Sequence, residues 1–229
     1  MTIPKDFNYL EHFDSTILQE PLFATNYNLL GRPLKGYEAQ KIVVSNALGQ
    51  ALVKAQKIAN DKNLTLKIYD SYRPLRAVED IVVWANDVSD QTMKNEFYAH
   101  IDKQDLFKLG YVLLRSFHCT GAAVDLTLVS LDDIKEQEDF IKGSELFDGI
   151  LPYGERRFDN GLDMGTNVDT FHDKSHTLNP EINPEAKKNR ALLCEIMDAA
   201  GFDNYEKEWW HFNLKDKPFN DTYFDFVIR

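Results

Sequence analysis

Two cysteines, Cys119 and Cys194, are the only thiols in this chain of 229 residues. One bridge is arithmetically possible, but a chain of this size builds a core without it. No run reaches the roughly 18–20 uninterrupted apolar residues of a membrane span. The start, Met1-Thr-Ile-Pro-Lys-Asp-Phe-Asn-Tyr-Leu10, lacks the basic stretch and apolar run of a secretory signal, so the cytoplasm is the expected location. Cationic residues are in the minority, 26 Lys and Arg against 37 Asp and Glu, for a net charge of −11. With no basic run, neither nucleic acid nor an anionic membrane surface is an expected partner. A Gly-rich phosphate loop, a Gly-x-Ser-x-Gly elbow, internal repeats and low-complexity stretches are also missing.

What is present suits an ordinary globular protein. Hydrophobic residues make up 43% of the chain and the mean hydropathy is −0.42, enough for a core without the signature of disorder. The length suits one domain over residues 1–229, with a long loop or insertion at 130–162, where charges and glycines show no period. Residues 1–36 read as a wrapping arm. Apolar residues at helical spacing predict a helix over 38–60. Period-two alternation predicts a strand over 64–69, and a second helix follows over 75–86. Residues 92–109 read as polar and partly helical. Strands are expected at 112–117 and 122–128, with Gly121 turning the chain between them. A helix over 184–200 carries its own signals: Asn183 as cap, Pro184 in the first turn, Gly201 at the end. A last strand is expected at 210–214. Helices and antiparallel-looking strands without βαβ alternation give an α+β fold, a mainly antiparallel sheet packed against helices.

The chemistry concentrates in two segments, Ser116-Phe-His-Cys-Thr-Gly-Ala-Ala-Val-Asp125 and Glu208-Trp-Trp-His211. Two imidazoles and a carboxylate, His118, His211 and Asp125, make a zinc site that leaves a fourth position for water. Either histidine alone reads equally well as a packed core residue; the joint occurrence gives the reading its weight. Glu208 then has the place of a general base. Residues three apart on a regular strand face opposite ways, so Glu208 must sit in a turn or bulge entering the strand to meet His211. Arg73, just after a buried strand, can face a developing oxyanion or simply pair with Asp70. Two rivals carry less. His172-Asp-Lys-Ser-His176 lacks the Glu that a helical zinc-protease motif requires, and Cys119 reads as a small packed thiol.

The first segment resembles the Ser-x-His-x-x-Gly-x-Ala-x-Asp signature of zinc D-Ala-D-Ala dipeptidases and carboxypeptidases, and the second resembles their Glu-x-x-His. Gly36-Tyr-Glu38, Tyr69-Asp-Ser-Tyr-Arg-Pro74, Asp163-Met-Gly-Thr166 and Tyr223-Phe-Asp-Phe226 extend the likeness to the dipeptidases associated with vancomycin resistance. The resemblance implies one zinc ion per chain on His118, Asp125 and His211, with Glu208 as base and Arg73 stabilising the tetrahedral intermediate. It implies that Ser116 and Asp169 bind the substrate's amino terminus. The implied partner is a small D,D-dipeptide, cleaved to two D-alanines; the oligomeric state stays open. A related D,D-carboxypeptidase or L,D-endopeptidase is the nearest alternative, and a zinc-stabilised binding module without catalysis is the more distant one. Two departures stand out: residues 130–162 are longer than this branch leads one to expect, and Cys119 occupies the place of a small polar residue.

Overall fold

A computed structural model describes residues 3–134, 147–220 and 222–229. Its centre is a sheet of β2 (Leu18–Gln19), β4 (Leu64–Asp70), β5 (Ala123–Ser130), β7 (His211–Leu214) and β6 (Phe202–Asn204), in the order β2-β4-β5-β7-β6. Only the β2–β4 pair is parallel; the other three pairings are antiparallel. β1 (Phe7–Tyr9) and β3 (Val43–Ser45) form a separate antiparallel pair. The α+β expectation holds, with an antiparallel-dominated sheet.

One face of this sheet is apolar. Leu66, Ile68, Val124, Leu126, Leu128 and Phe212 are buried there. They join α1 (Asn46–Asn60), through Leu48, Leu52 and Ala55, and α5 (Pro184–Ala200), through Leu193, Ile196 and Met197. Each such side chain removed from water contributes about 1.5–3 kcal/mol before ordering costs. α5 spans the expected residues, with Asn183 Oδ1 accepting from the Ala186 N–H at 2.8 Å and Gly201 ending it at φ 100°. A second apolar cluster gathers the arm, α2 (Leu75–Asn86) and the C-terminal segment, where the Tyr72 and Phe226 rings stack at 4.0 Å.

Three expectations need correction. The helix expected over 38–60 begins only at Asn46. Val43–Ser45 is a strand paired with β1, and Ser45 caps the helix by accepting from the Leu48 N–H. Apolar Ile42 and Val43 fit the helical period by coincidence; the cap decides the start. The strand expected over 112–117 does not form. Residues 113–115 are exposed, and Ser116 caps a short 3-10 helix, Phe117–Thr120, instead. Gly121 ends it at φ 68°, where an added Cβ would stand 2.5 Å from the Phe7 ring. The strand expected over 122–128 runs Ala123–Ser130. In the segment 130–162, residues 135–146 lie outside the described residues. Leu131–Asp133 is a 3-10 turn, and 147–162 carries neither helix nor strand. That last stretch is tied to the sheet by charge: Lys67 meets Glu20 at 2.6 Å and also Asp159, and Arg157 pairs with Glu20.

Candidate metal centre and active site

The polar face of the same sheet builds the site. Asp125 on β5 stands opposite His211 on β7 and opposite Asp70 on β4. A bulge between Ile68 and Asp70 inserts one residue, which puts Asp70 beside Asp125 where regular alternation would have turned it away. His118 arrives from the 3-10 helix preceding β5.

The three residues expected to hold a metal lie together. His118 Nε2 is 3.1 Å from Asp125 Oδ2 and 3.1 Å from His211 Nδ1, and His211 Nδ1 is 3.0 Å from Asp125 Oδ1. A tetrahedral ion with bonds of about 2.0–2.1 Å has ligand–ligand edges of roughly 3.3 Å, close to this spacing. The outer nitrogens fit as well. His118 Nδ1 donates to the Ser71 carbonyl at 2.7 Å, and His211 Nε2 meets Asn213 Oδ1 at 3.2 Å. Those acceptors hold the ring protons outward, so two imidazole lone pairs face each other beside a carboxylate. A cation among them relieves that repulsion. Among the described residues this is the one group of three or more His, Cys, Asp or Glu with such convergence.

Glu208 lies in the turns between β6 and β7, as the three-residue spacing required. Its N–H donates to the Tyr205 carbonyl and its own carbonyl accepts from the His211 N–H. Glu208 Oε2 stands 3.8 Å from His211 Nδ1, beside the donor triangle and outside its edges. Burial, aided by Asp125 and opposed by His211 and Arg73, pushes the Glu208 carboxyl up to about 7. Arg73 satisfies both readings. Its Nε donates to Asp70 at 2.9 Å and its Nη2 to Asp125 at 3.4 Å, its guanidinium lies 4.4 Å over the Phe23 ring, and it lines the cavity. Asp125 is held well below the usual carboxylate range: burial works against this, but His118 and His211 overcome it by charge and hydrogen bonds.

A cavity of about 220 Å³ opens over these groups, lined also by Ser116, Asp169, Tyr111, Phe171 and Tyr223. Ser116 Oγ accepts from the His118 N–H at 3.2 Å. Asp169 is buried at φ 58° and accepts no hydrogen bond from the described residues. Burial first, then the charge of Asp125, holds its carboxyl well above the ordinary range. The rival histidines stand apart from the metal triad: His172 Nδ1 accepts from the Lys174 N–H, and His176 Nε2 lies 3.3 Å from the Tyr111 hydroxyl. Cys119 is a buried free thiol pushed up to about 12 by burial. Sequence reasoning missed Asn213 and the Ser71 carbonyl. Asn213 was findable, two positions after His211 on one strand face. The Ser71 contact depends on a backbone path that no residue type announces.

A buried triad of nitrogen and oxygen donors, flanked by a carboxylate and an arginine on one cavity, defines the class: a hydrolase that works with a metal ion. A family model described as D-ala-D-ala dipeptidase matches residues 12–139 and 156–229. The chain is 32% identical over 223 residues to the D-alanyl-D-alanine dipeptidase of Enterococcus faecium, covering 97% of this chain and 98% of that protein. It is 36% identical over 223 residues to the D-alanyl-D-alanine dipeptidase of Streptomyces coelicolor, with the same coverage. To that of Escherichia coli it is 30% identical over 192 residues, 84% of this chain and 76% of that protein. The chain belongs to the D-ala-D-ala dipeptidase family of metallopeptidases.

Proposed function

We propose that this protein hydrolyses the D-Ala-D-Ala dipeptide to two D-alanines, with one zinc ion on His118, Asp125 and His211 and Glu208 as general base. The observation that carries this reading is the meeting of the three donors with Glu208 and Arg73 on one cavity. When bound, zinc supplies a Lewis acid that polarises a carbonyl and acidifies water. Glu208 accepts a proton from the attacking water and returns it to the leaving amine. Its burial suits both directions, because a carboxyl near 7 changes state readily at neutral pH. Arg73 keeps a guanidinium, fixed by Asp70, facing the oxygen that gains charge. Asp169, buried and without a hydrogen-bond donor of its own, takes the substrate ammonium, with Ser116 at its side.

The test is D-alanine release from D-Ala-D-Ala by protein loaded with zinc and by protein stripped of metal, beside a peptidoglycan pentapeptide. Release from the dipeptide, dependent on zinc, is the expected result. Cleavage of the pentapeptide in preference to the dipeptide would overturn the substrate and point to a carboxypeptidase or endopeptidase.

A further inference from the structure

The substrate proposed above is a zwitterion, and its two ends need opposite partners. The buried lining groups of the cavity supply carboxylates: Asp125, Asp169 and Glu208. Two arginines also line it, Arg73 and Arg115. Arg73 is spoken for by Asp70 and Asp125. Arg115 is different. It is exposed at the mouth and makes no hydrogen bond or ion pair to the described residues. Its guanidinium lies 5.1 Å over the ring of Tyr223, a second lining residue. Tyr223 precedes a well-fixed point, since the Phe224 N–H donates to the Cys119 carbonyl at 2.9 Å and the Phe224 carbonyl accepts from the Leu75 N–H at 3.0 Å. The aromatic platform therefore holds the stem of Arg115 while the charge stays free. The other cations near the mouth are engaged: Lys207 Nζ donates to the Leu109 carbonyl, and Lys217 lies over the Phe117 ring.

Acids at depth and an uncommitted cation at the rim orient a zwitterion one way, ammonium inward and carboxylate outward. We propose that Arg115 binds the substrate's free C-terminal carboxylate and so makes the cavity select peptides that end there. The inference rests on the dipeptidase reading of the site. A planar guanidinium matches a carboxylate with two parallel hydrogen bonds. A residue added beyond the scissile dipeptide replaces that carboxylate by an amide, which offers the cation nothing of comparable strength. Selectivity for a free dipeptide then arises at the mouth, by loss of a contact, and needs no steric wall.

The experiment compares D-Ala-D-Ala with its C-terminal amide, for the wild type, Arg115→Gln and Arg115→Lys. All three are first checked for equal melting temperature. In the wild type the amide should show a KM about tenfold above that of the free dipeptide, the loss of one charge-assisted contact. Arg115→Gln should raise the KM of the free dipeptide by about tenfold, leave that of the amide unchanged and keep kcat within about twofold, the pattern of uniform binding. Arg115→Lys should recover part of the loss. Equal KM increases for both ligands, or no change for the free dipeptide, would overturn the proposal and leave Arg115 a solvated surface cation. If the wild type turns over neither compound, the dipeptidase reading falls by itself. The clamp is then decided by calorimetry of both ligands on wild type and Arg115→Gln, where a wild type without preference for the free carboxylate refutes it.

Discussion

Replacing Glu208 by Gln isolates the proton from everything else that residue does. The amide has the same shape, so the turn between β6 and β7 and the His211 N–H to Glu208 carbonyl bond should persist. The Glu208 carboxylate lies 3.8 Å from His211 Nδ1, outside the 3.0–3.1 Å triangle of donors. Zinc in excess should therefore still load to about one equivalent. The catalytic loss should be large. A positioned general base contributes about 10²–10⁴-fold; at the middle of that range kcat falls about 10³-fold, roughly 4 kcal/mol of barrier. The sign of the pH effect follows from the cause. Burial pushes the carboxyl up to about 7, and only its ionised form is a base. Wild-type kcat/KM should then fall as pH drops through that value, at a limb shifted lower by a bound dication, which favours the carboxylate. The residual activity of Glu208→Gln should lack this limb. D-alanine release across pH, with metal content measured by atomic emission, checks each part. A variant that holds zinc and keeps kcat within about threefold of wild type would refute the assignment of the base.

Other outcomes follow from the same contacts. Arg73→Lys should lower kcat about 10²-fold with a smaller change in KM, because a point charge cannot hold Asp70 and face the cavity as the fork does; unchanged steady-state kinetics would argue that Arg73 is structural only. Zinc at about 1,000 times its dissociation constant should add about 4 kcal/mol to the stability of the metal-free protein, a rise of about 10 °C in melting temperature for a chain of this size. Calorimetry with His118→Ala, which should lose most of that rise, attributes it to the site. Asp163 accepts from Arg156, from the Gly165 N–H and from Asn183, and is held below the usual carboxylate range although burial opposes this. Its contribution is complete above the unfolded value of about 3.9 and fades as pH falls through the lower folded value. Asp163→Asn should accordingly cost about 1 kcal/mol at pH 7, with the gap to wild type closing below about pH 4 in urea titrations; a gap that stays constant to pH 3 would show that charge plays no part.

Particular residues show why some of this was readable in advance. α5 announces both its ends, with an asparagine cap, a proline in its first turn and a glycine that adopts φ 100°. The placement of Glu208 in a turn followed from counting, since three residues cannot share a strand face with His211. The start of α1 was misread because Ile42 and Val43 satisfy a helical period while pairing as strand, and only Ser45 separates the two states. Residues 113–114 looked like strand because they are apolar. They are exposed around the cavity mouth, where burial no longer governs the pattern. The bulge that places Asp70 beside Asp125 left no mark at all, because a one-residue slip changes register without changing composition.

The excess of acid explains how the parts depend on one another. Asp70, Asp125, Asp169 and Glu208 interact electrostatically around a single guanidinium, Arg73, with two imidazoles between them. Low-dielectric surroundings cannot hold that much negative charge. Without a metal it is relieved by protons, which is why burial holds Asp70, Asp169 and Glu208 above their ordinary values. Asp125 alone is kept strongly ionised, and it alone of the four accepts from both histidines. The site thus ranks its own acids: one fixed as an anion among the metal donors, one poised near neutrality to carry a proton, and one deep in the cavity that ionises most readily when an ammonium arrives. A dication adds two positive charges and the substrate ammonium a third, each releasing protons from acids the apo site must keep neutral. Metal loading and substrate binding should therefore reinforce each other. Zinc affinity, measured by competition with a chelator at neutral pH on the Glu208→Gln variant, should rise when D-Ala-D-Ala is present and not when an N-acetylated dipeptide takes its place; equal affinities in the two cases would show that the ammonium and the metal do not share this balance of charge.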